Sequence, residues 1–215
     1  MSTAISKLQS STALSTDVAD AIAAAAQEEG TNELGTLLKY SQGIYTKKTE
    51  EVPMGTEYIA HIQQWVRGWV KFKAGCLIEH KVGKVADGFI VPEREELDET
   101  DPATWEKSPS GEAKDPWSKQ SYLPLENADT GEIVTFVSGS VGGRQAVSTL
   151  CSKAARHITT MGLPVIELGT EKYKNKRYGG YTDKPTFTIV RWTNEAGEPA
   201  PAKSTAKEMD DVIPF

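Results

Sequence analysis

The 215-residue, 23.4 kDa chain is 38% hydrophobic and 25% charged, ordinary proportions for one globular domain with tails rather than two large domains. No run nears the roughly 18 apolar residues of a membrane span, and no leucine-rich leader follows an early cation. The only cysteines, Cys76 and Cys151, lie too far apart for a disulfide framework or a zinc motif, so the expectation is a cytoplasmic protein with no membrane association. The formal charge of −6 hides a segregation: residues 87–115 hold ten acids against three bases, and residues 151–192 hold eight bases against three acids. Local charge decides what docks, so an acidic chain can still offer a basic groove.

Residues 1–33 form a Ser/Thr/Ala-rich arm. Asp17 can cap a short helix there, but its alanines would bury little. The body runs from residue 34 to 192. Strand patterning covers Glu57–Phe72, Ile133–Val137, Val165–Leu168 and Thr186–Trp192, each enriched in β-branched or aromatic residues. The spacing of Val147, Leu150, Cys151 and Ala154 predicts a helix over Gly143–His157 with one apolar stripe. The proline-rich acidic stretch Pro92–Pro124 reads as a long insertion between strands. Residues 193–207 carry no large apolar group and form a linker, and residues 208–215 end the chain on acids followed by Ile213-Pro214-Phe215.

Four segments carry candidate chemistry. Read as a strand, Tyr58–Lys73 sets Trp65, Arg67, Trp69, Lys71 and Lys73 on one face, leaving Gln64, Val66, Gly68, Val70 and Phe72 for burial. Indoles interleaved with cations suit single-stranded DNA, whose bases stack while its phosphates pair with cations. Lys172, Tyr173, Lys174, Lys176, Arg177, Tyr178 and Tyr181 crowd a glycine-containing loop able to close over a strand of DNA. The glycine-rich turn Ser138–Arg144 feeds the helix start and makes Arg144 a phosphate-contact candidate, although no Walker motif is present. At the terminus, Asp210, Asp211, Ile213, Pro214 and Phe215 combine anions, large hydrophobes and the α-carboxylate. That is the composition of a docking peptide captured by a basic-rimmed pocket.

The terminal Met209-Asp210-Asp211-Val212-Ile213-Pro214-Phe215 resembles the acidic tip of bacterial and phage single-stranded DNA-binding proteins. Body segments resemble phage-encoded members: Leu37-Leu38-Lys39-Tyr40, Val52-Pro53-x-Gly55-Thr56, Gly68-Trp69, Asp115-Pro116-Trp117 and Ser138-x-Ser140-x-Gly142-Gly143. The resemblance implies an OB-fold-like small barrel. Strand patterning alone would also fit another small barrel or a sandwich.

The expectation is therefore a mainly β domain with one helix, a long acidic insertion and a disordered C-terminal tail. It would bind single-stranded DNA with little sequence preference in phage replication and recombination. Replication and recombination proteins would be recruited through the tip. The pattern calls for no cofactor, no metal and no catalytic residue, and it leaves the oligomeric state open, a homodimer included. Two other readings are a Mg²⁺-dependent recombination nuclease, from Asp101 followed by Glu112-Ala113-Lys114, and a tip-mimicking protein that diverts host repair enzymes. His61, His80 and His157 have no metal-ligand spacing and read as structural.

Overall fold

The computed structural model describes residues 35–108, 111–174 and 180–193. The chain divides into two units, Met1–Gly35 and Thr36–Phe215, and every element below belongs to the second. Its first strands, β1 (Thr36–Ser41), β2 (Ile44–Lys47) and β3 (Glu50–Val52), form an antiparallel meander. Then come β4 (Glu57–Ala60), a 3₁₀ turn over Ile62–Gln64, β5 (Val66–Lys73) and β6 (Cys76–Lys84). A small hairpin of β7 (Glu106–Lys107) and β8 (Ala113–Lys114) precedes β9 (Trp117–Asn127) and β10 (Ile133–Ser138). Helix α1 (Val141–Ala154), the short α2 (Ile158–Met161), β11 (Pro164–Lys174) and β12 (Tyr181–Trp192) complete the fold.

The main sheet runs β12-β11-β4-β9-β10-β1-β2-β3, and β5 joins it by pairing with both β9 and β6. Among the described strands only the β1–β10 pair is parallel. The fold is mainly β and OB-like: the sheet curls into a half-barrel, and one main helix packs on it. Leu38, Leu123, Phe136, Leu150, Ile166 and Leu168 lie at the centre, none more than 1% exposed. Each such side chain contributes about 1.5–3 kcal/mol by leaving water.

Strand β9 is where the sheet branches. Its first half pairs with β5 and its last residues with β4, along the same edge. The expected single strand Glu57–Phe72 is thus two strands with a turn between them. Pro124 explains the break. It directs its carbonyl to that edge, where the His61 N–H donates to it at 3.0 Å, so the missing proline N–H faces the same edge, beside the turn.

The expected loop Pro92–Pro124 is also corrected. It holds two 3₁₀ turns and the β7–β8 hairpin, and its last quarter is most of β9. Polar Ser118, Lys119 and Gln120 mask the alternation that buries Trp117, Ser121, Leu123 and Leu125. Helix α1 follows its expected stripe, with Val147, Leu150, Cys151 and Ala154 all buried. It starts two residues early because the Ser140 hydroxyl caps it, accepting from the Gly143 N–H at 3.0 Å.

Candidate functional site

On β5 the odd residues Arg67, Trp69 and Lys71 do share a face, opposite Ser121, Lys119 and Trp117 of β9. That face is covered. Gly68 through Lys71 are all buried, so neither side of β5 is open there. The cover is the acidic segment that follows β6. It starts where the Phe89 ring lies on Gly83; a Cβ there would stand 2.4 Å from that ring. Leu97, 4% exposed, packs with Trp69 and Trp117, and Val91 adds to this second small core.

The polar groups of the same face are satisfied from within the segment. The Trp69 indole N–H donates to the Pro92 carbonyl at 2.9 Å, and that of Trp117 to the Asp98 carboxylate at 2.7 Å. Lys71 Nζ lies 2.6 Å from Asp98 and 2.7 Å from Glu99. Arg94 clamps the strap with paired hydrogen bonds to Asp115, both 2.8 Å. The hydrogen bond from Lys71 draws the Asp98 carboxyl below its usual range; partial burial opposes this and the Trp117 N–H adds to it.

These contacts take the expected stacking role from Trp69. Trp69 is 8% exposed beneath the strap, out of reach of a base, because Leu97 and Val91 need an apolar partner. Trp65 is 9% exposed, sits in the main core and donates its N–H to the Ser121 hydroxyl at 2.8 Å. Lys71 is committed to two carboxylates. Lys73 is exposed, but it borders a hollow shared with Glu99, Asp101 and Glu106, an unfavourable place for phosphate. Arg67 is exposed and, among the described residues, enters no ion pair, its guanidinium 5.3 Å from the Trp65 ring.

The expected basic loop belongs to a long hairpin. β11 continues to Lys174, and Lys172, Tyr173 and Lys174 pair with Asp183, Thr182 and Tyr181. Lys172, Tyr173, Lys174 and Tyr181 are exposed, Tyr181 at 76%. Lys176, Arg177 and Tyr178 lie outside the described residues, as do the arm 1–33, the linker beyond Thr193, and Asp210, Asp211, Ile213, Pro214 and Phe215 of the tip.

Arg144 is brought to the edge of Trp65 rather than to Trp69 and Trp117. It stands at the first turn of α1, beside an open cleft of about 470 Å³ whose other walls come from β5, β9 and the start of the strap. Arg67 and Lys119 line the same cleft, and Glu93 is its one carboxylate. Among the described residues, none of these three cations enters an ion pair. Lys119 instead lies 4.8 Å from the Trp69 ring. The Arg144 Nε is buried with no hydrogen-bond partner among the described residues, and desolvation lowers its pKa. A buried donor without an acceptor is costly, about 1–3 kcal/mol, and a ligand acceptor relieves that cost. The cleft's lips are apolar: Ile90 is 85% exposed and Val141 60%. Gln120, Gln145 and Ser148 add groups that can donate or accept.

Lys119 and Trp117 were missed by the sequence reading. Their spacing repeats the Trp69/Lys71 pattern, but the prolines around them suggested a loop. The acid-then-Glu-x-Lys pattern is dispersed. Asp101 caps a 3₁₀ turn, accepting from the Ala103 N–H at 2.9 Å, while Lys114 lies on β8 opposite Glu106. Among the described residues no three His, Cys, Asp or Glu side chains are placed to hold a metal ion. Nor, among them, is any helix long and apolar enough to cross a membrane. Cys76 is exposed and Cys151 buried, both free, and burial pushes the Cys151 thiol up to about 12.

Comparison with protein-family models, with characterised proteins and with solved structures finds no match.

Proposed function

We propose that this protein binds single-stranded DNA with little sequence preference and performs no catalysis of its own. The observation that carries the reading is the cleft, where Arg67, Lys119 and Arg144, from three separate elements, converge with no ion pair among the described residues, and where the buried Arg144 Nε finds no acceptor among them. Cations beside exposed apolar lips suit a strand whose phosphates and unstacked bases are both available; a duplex hides its base faces. The exposed Lys172, Tyr173, Lys174 and Tyr181 of the β11–β12 hairpin give a second contact of the same chemistry. The resemblance of the last seven residues to the tip of phage and bacterial single-stranded DNA-binding proteins supports a phage-type role. In that role Asp210, Asp211, Ile213, Pro214 and Phe215 dock replication and recombination enzymes in the host cytoplasm.

The test is a titration with fluorescent oligo(dT) at two salt concentrations, run beside duplex of equal length. Single strands should bind much more tightly, and affinity should fall as salt rises. Equal binding to both, or none to either, removes the reading. Mg²⁺-dependent shortening of the oligonucleotide would favour the nuclease instead.

A further inference from the structure

Helix α1 buries Val147, Leu150, Cys151 and Ala154 and turns Gln145, Ser148, Thr149, Ser152 and Lys153 to solvent. Solvent-facing helices usually mix both signs of charge. Here no Asp or Glu occurs from Ile133 to Ile166, while Arg144, Lys153 and Arg156 do. Three hollows meet on this face. The Arg67–Lys119–Arg144 cleft reaches Gln145 and Ser148. A second hollow, between α1 and β12, runs from those two residues past Lys153 to Lys184. A third extends from Ser148 and Lys153 to Arg156 and His157. Ser148 borders all three, so they form one furrow. Its acids are few: Glu93 at the start, and Glu171, already paired with Lys184 at 3.1 Å.

We propose that the furrow over α1 is the track of the single strand, its phosphates running from Arg144 past Ser148 to Lys153 and Arg156. This rests on the single-strand binding reading and adds the path, which leaves out Trp69 and Trp117 beneath the strap. Hydroxyls and cations on an acid-free helix face give sequence-independent phosphate contacts. From Arg144 to the helix's end at Ala154 the rise is about 15 Å at 1.5 Å per residue, with Arg156 in the turn just beyond. That is the length of about four nucleotides at the stacked spacing of 3.4 Å, and fewer in a stretched strand. An acidic protein tail would also meet the cations. Beyond the cleft, however, the exposed face of α1 offers Gln, Ser, Thr and Lys rather than apolar sockets for anchoring residues.

The experiment measures oligo(dT) affinity and its salt dependence for the full chain and three variants. Lys153→Gln/Arg156→Gln removes two cations from the furrow. Lys107→Gln/Lys114→Gln removes the same charge from the exposed β7–β8 hairpin. Ser148→Glu places an acid where the hollows meet. All five positions are exposed, so circular dichroism should show intact folds. The furrow pair should bind about tenfold more weakly and flatten the slope of log affinity against log salt by about 1.4, at roughly 0.7 per phosphate contact. Ser148→Glu should lose about tenfold, and the hairpin pair should stay within about twofold of the parent. Parent-like binding by the furrow pair, or equal losses in both pairs, overturns the track while single-strand binding stands. Binding of a Met209–Phe215 peptide at Lys153 and Arg156 with oligo(dT) left unbound overturns both readings.

Discussion

Two places where cations meet aromatic or apolar surface differ in who supplies the anions. On the face of β5 and β9, Lys71 and Lys81 lie over Trp117, and the chain's own strap brings Asp98 and Glu99 to Lys71. In the cleft at the start of α1, Arg67, Lys119 and Arg144 have no ion-pair partner among the described residues, and only Glu93 is near. The residue types are alike, and the first surface is filled while the second is open. Interleaved indoles and cations are therefore not enough to mark a docking face. The deciding quantity is whether the chain has already satisfied them.

The largest expected effect lies on the filled side. Trp117→Ala should lower the stability of the fold by about 3–5 kcal/mol in urea unfolding, because it empties a core made only with Trp69, Leu97 and Val91. The folded fraction should keep its affinity for oligo(dT). Weakened binding with an unchanged unfolding midpoint would mean that the strap leaves this face and that the two surfaces are not distinct. Next comes the open side. Arg144→Gln should weaken oligo(dT) binding by about 1.5–3 kcal/mol, the worth of a charge-assisted hydrogen bond. Its unfolding midpoint should stay level or rise, since the substitution removes a buried Nε that has no partner. A lower midpoint with unchanged affinity would make Arg144 structural.

Local periodicity in the sequence was a good guide to what is shared along one element and a poor one to what lies over it. The α1 stripe and the shared face of Arg67, Trp69 and Lys71 were both legible, because each follows from spacing within a single element. The covering of that face was not, since Leu97 and Val91 sit about 20–30 residues away, in a stretch so acidic and proline-rich that it reads as solvated. Leu97 is flanked by Glu96 and Asp98, and nothing in its neighbours signals burial. The cleft was half legible. Arg144 followed from the glycine-rich helix entry and Arg67 from the strand, but their meeting depends on β9, whose alternation is masked by Lys119 and Gln120. Residues 172–174 and 181 were legible as an exposed basic cluster, while their strand pairing was not.

The smallest expected effect is a pH response confined to the filled side. Asp98 is held below its usual pKa, chiefly by Lys71, so its contribution is present above the unfolded carboxyl value of about 3.9. That contribution is lost as pH falls through the lower folded value. Lys71 gives the opposite window. Burial opposes its charge, but the hydrogen bonds it donates to Asp98 and Glu99 outweigh this and leave its pKa raised. Its share is complete below about 10.4 and fades as pH rises through the folded value. The strap should therefore be tightest between roughly pH 4 and 10 and should loosen first in acid. Asp98 is 57% exposed, which limits the pair to about 1 kcal/mol or less. Tryptophan emission should shift slightly to the red below about pH 4, ahead of global unfolding, as Trp69 and Trp117 gain water. Asp98→Asn at neutral pH should reproduce that shift, because it removes the charge facing Lys71 and keeps an oxygen to accept the Trp117 N–H. If the variant also bound oligo(dT) more tightly, the strap would be a competitor for the strand rather than a permanent cover. An unshifted spectrum down to the global transition would mean that Leu97 alone holds the strap and the ion pairs add nothing.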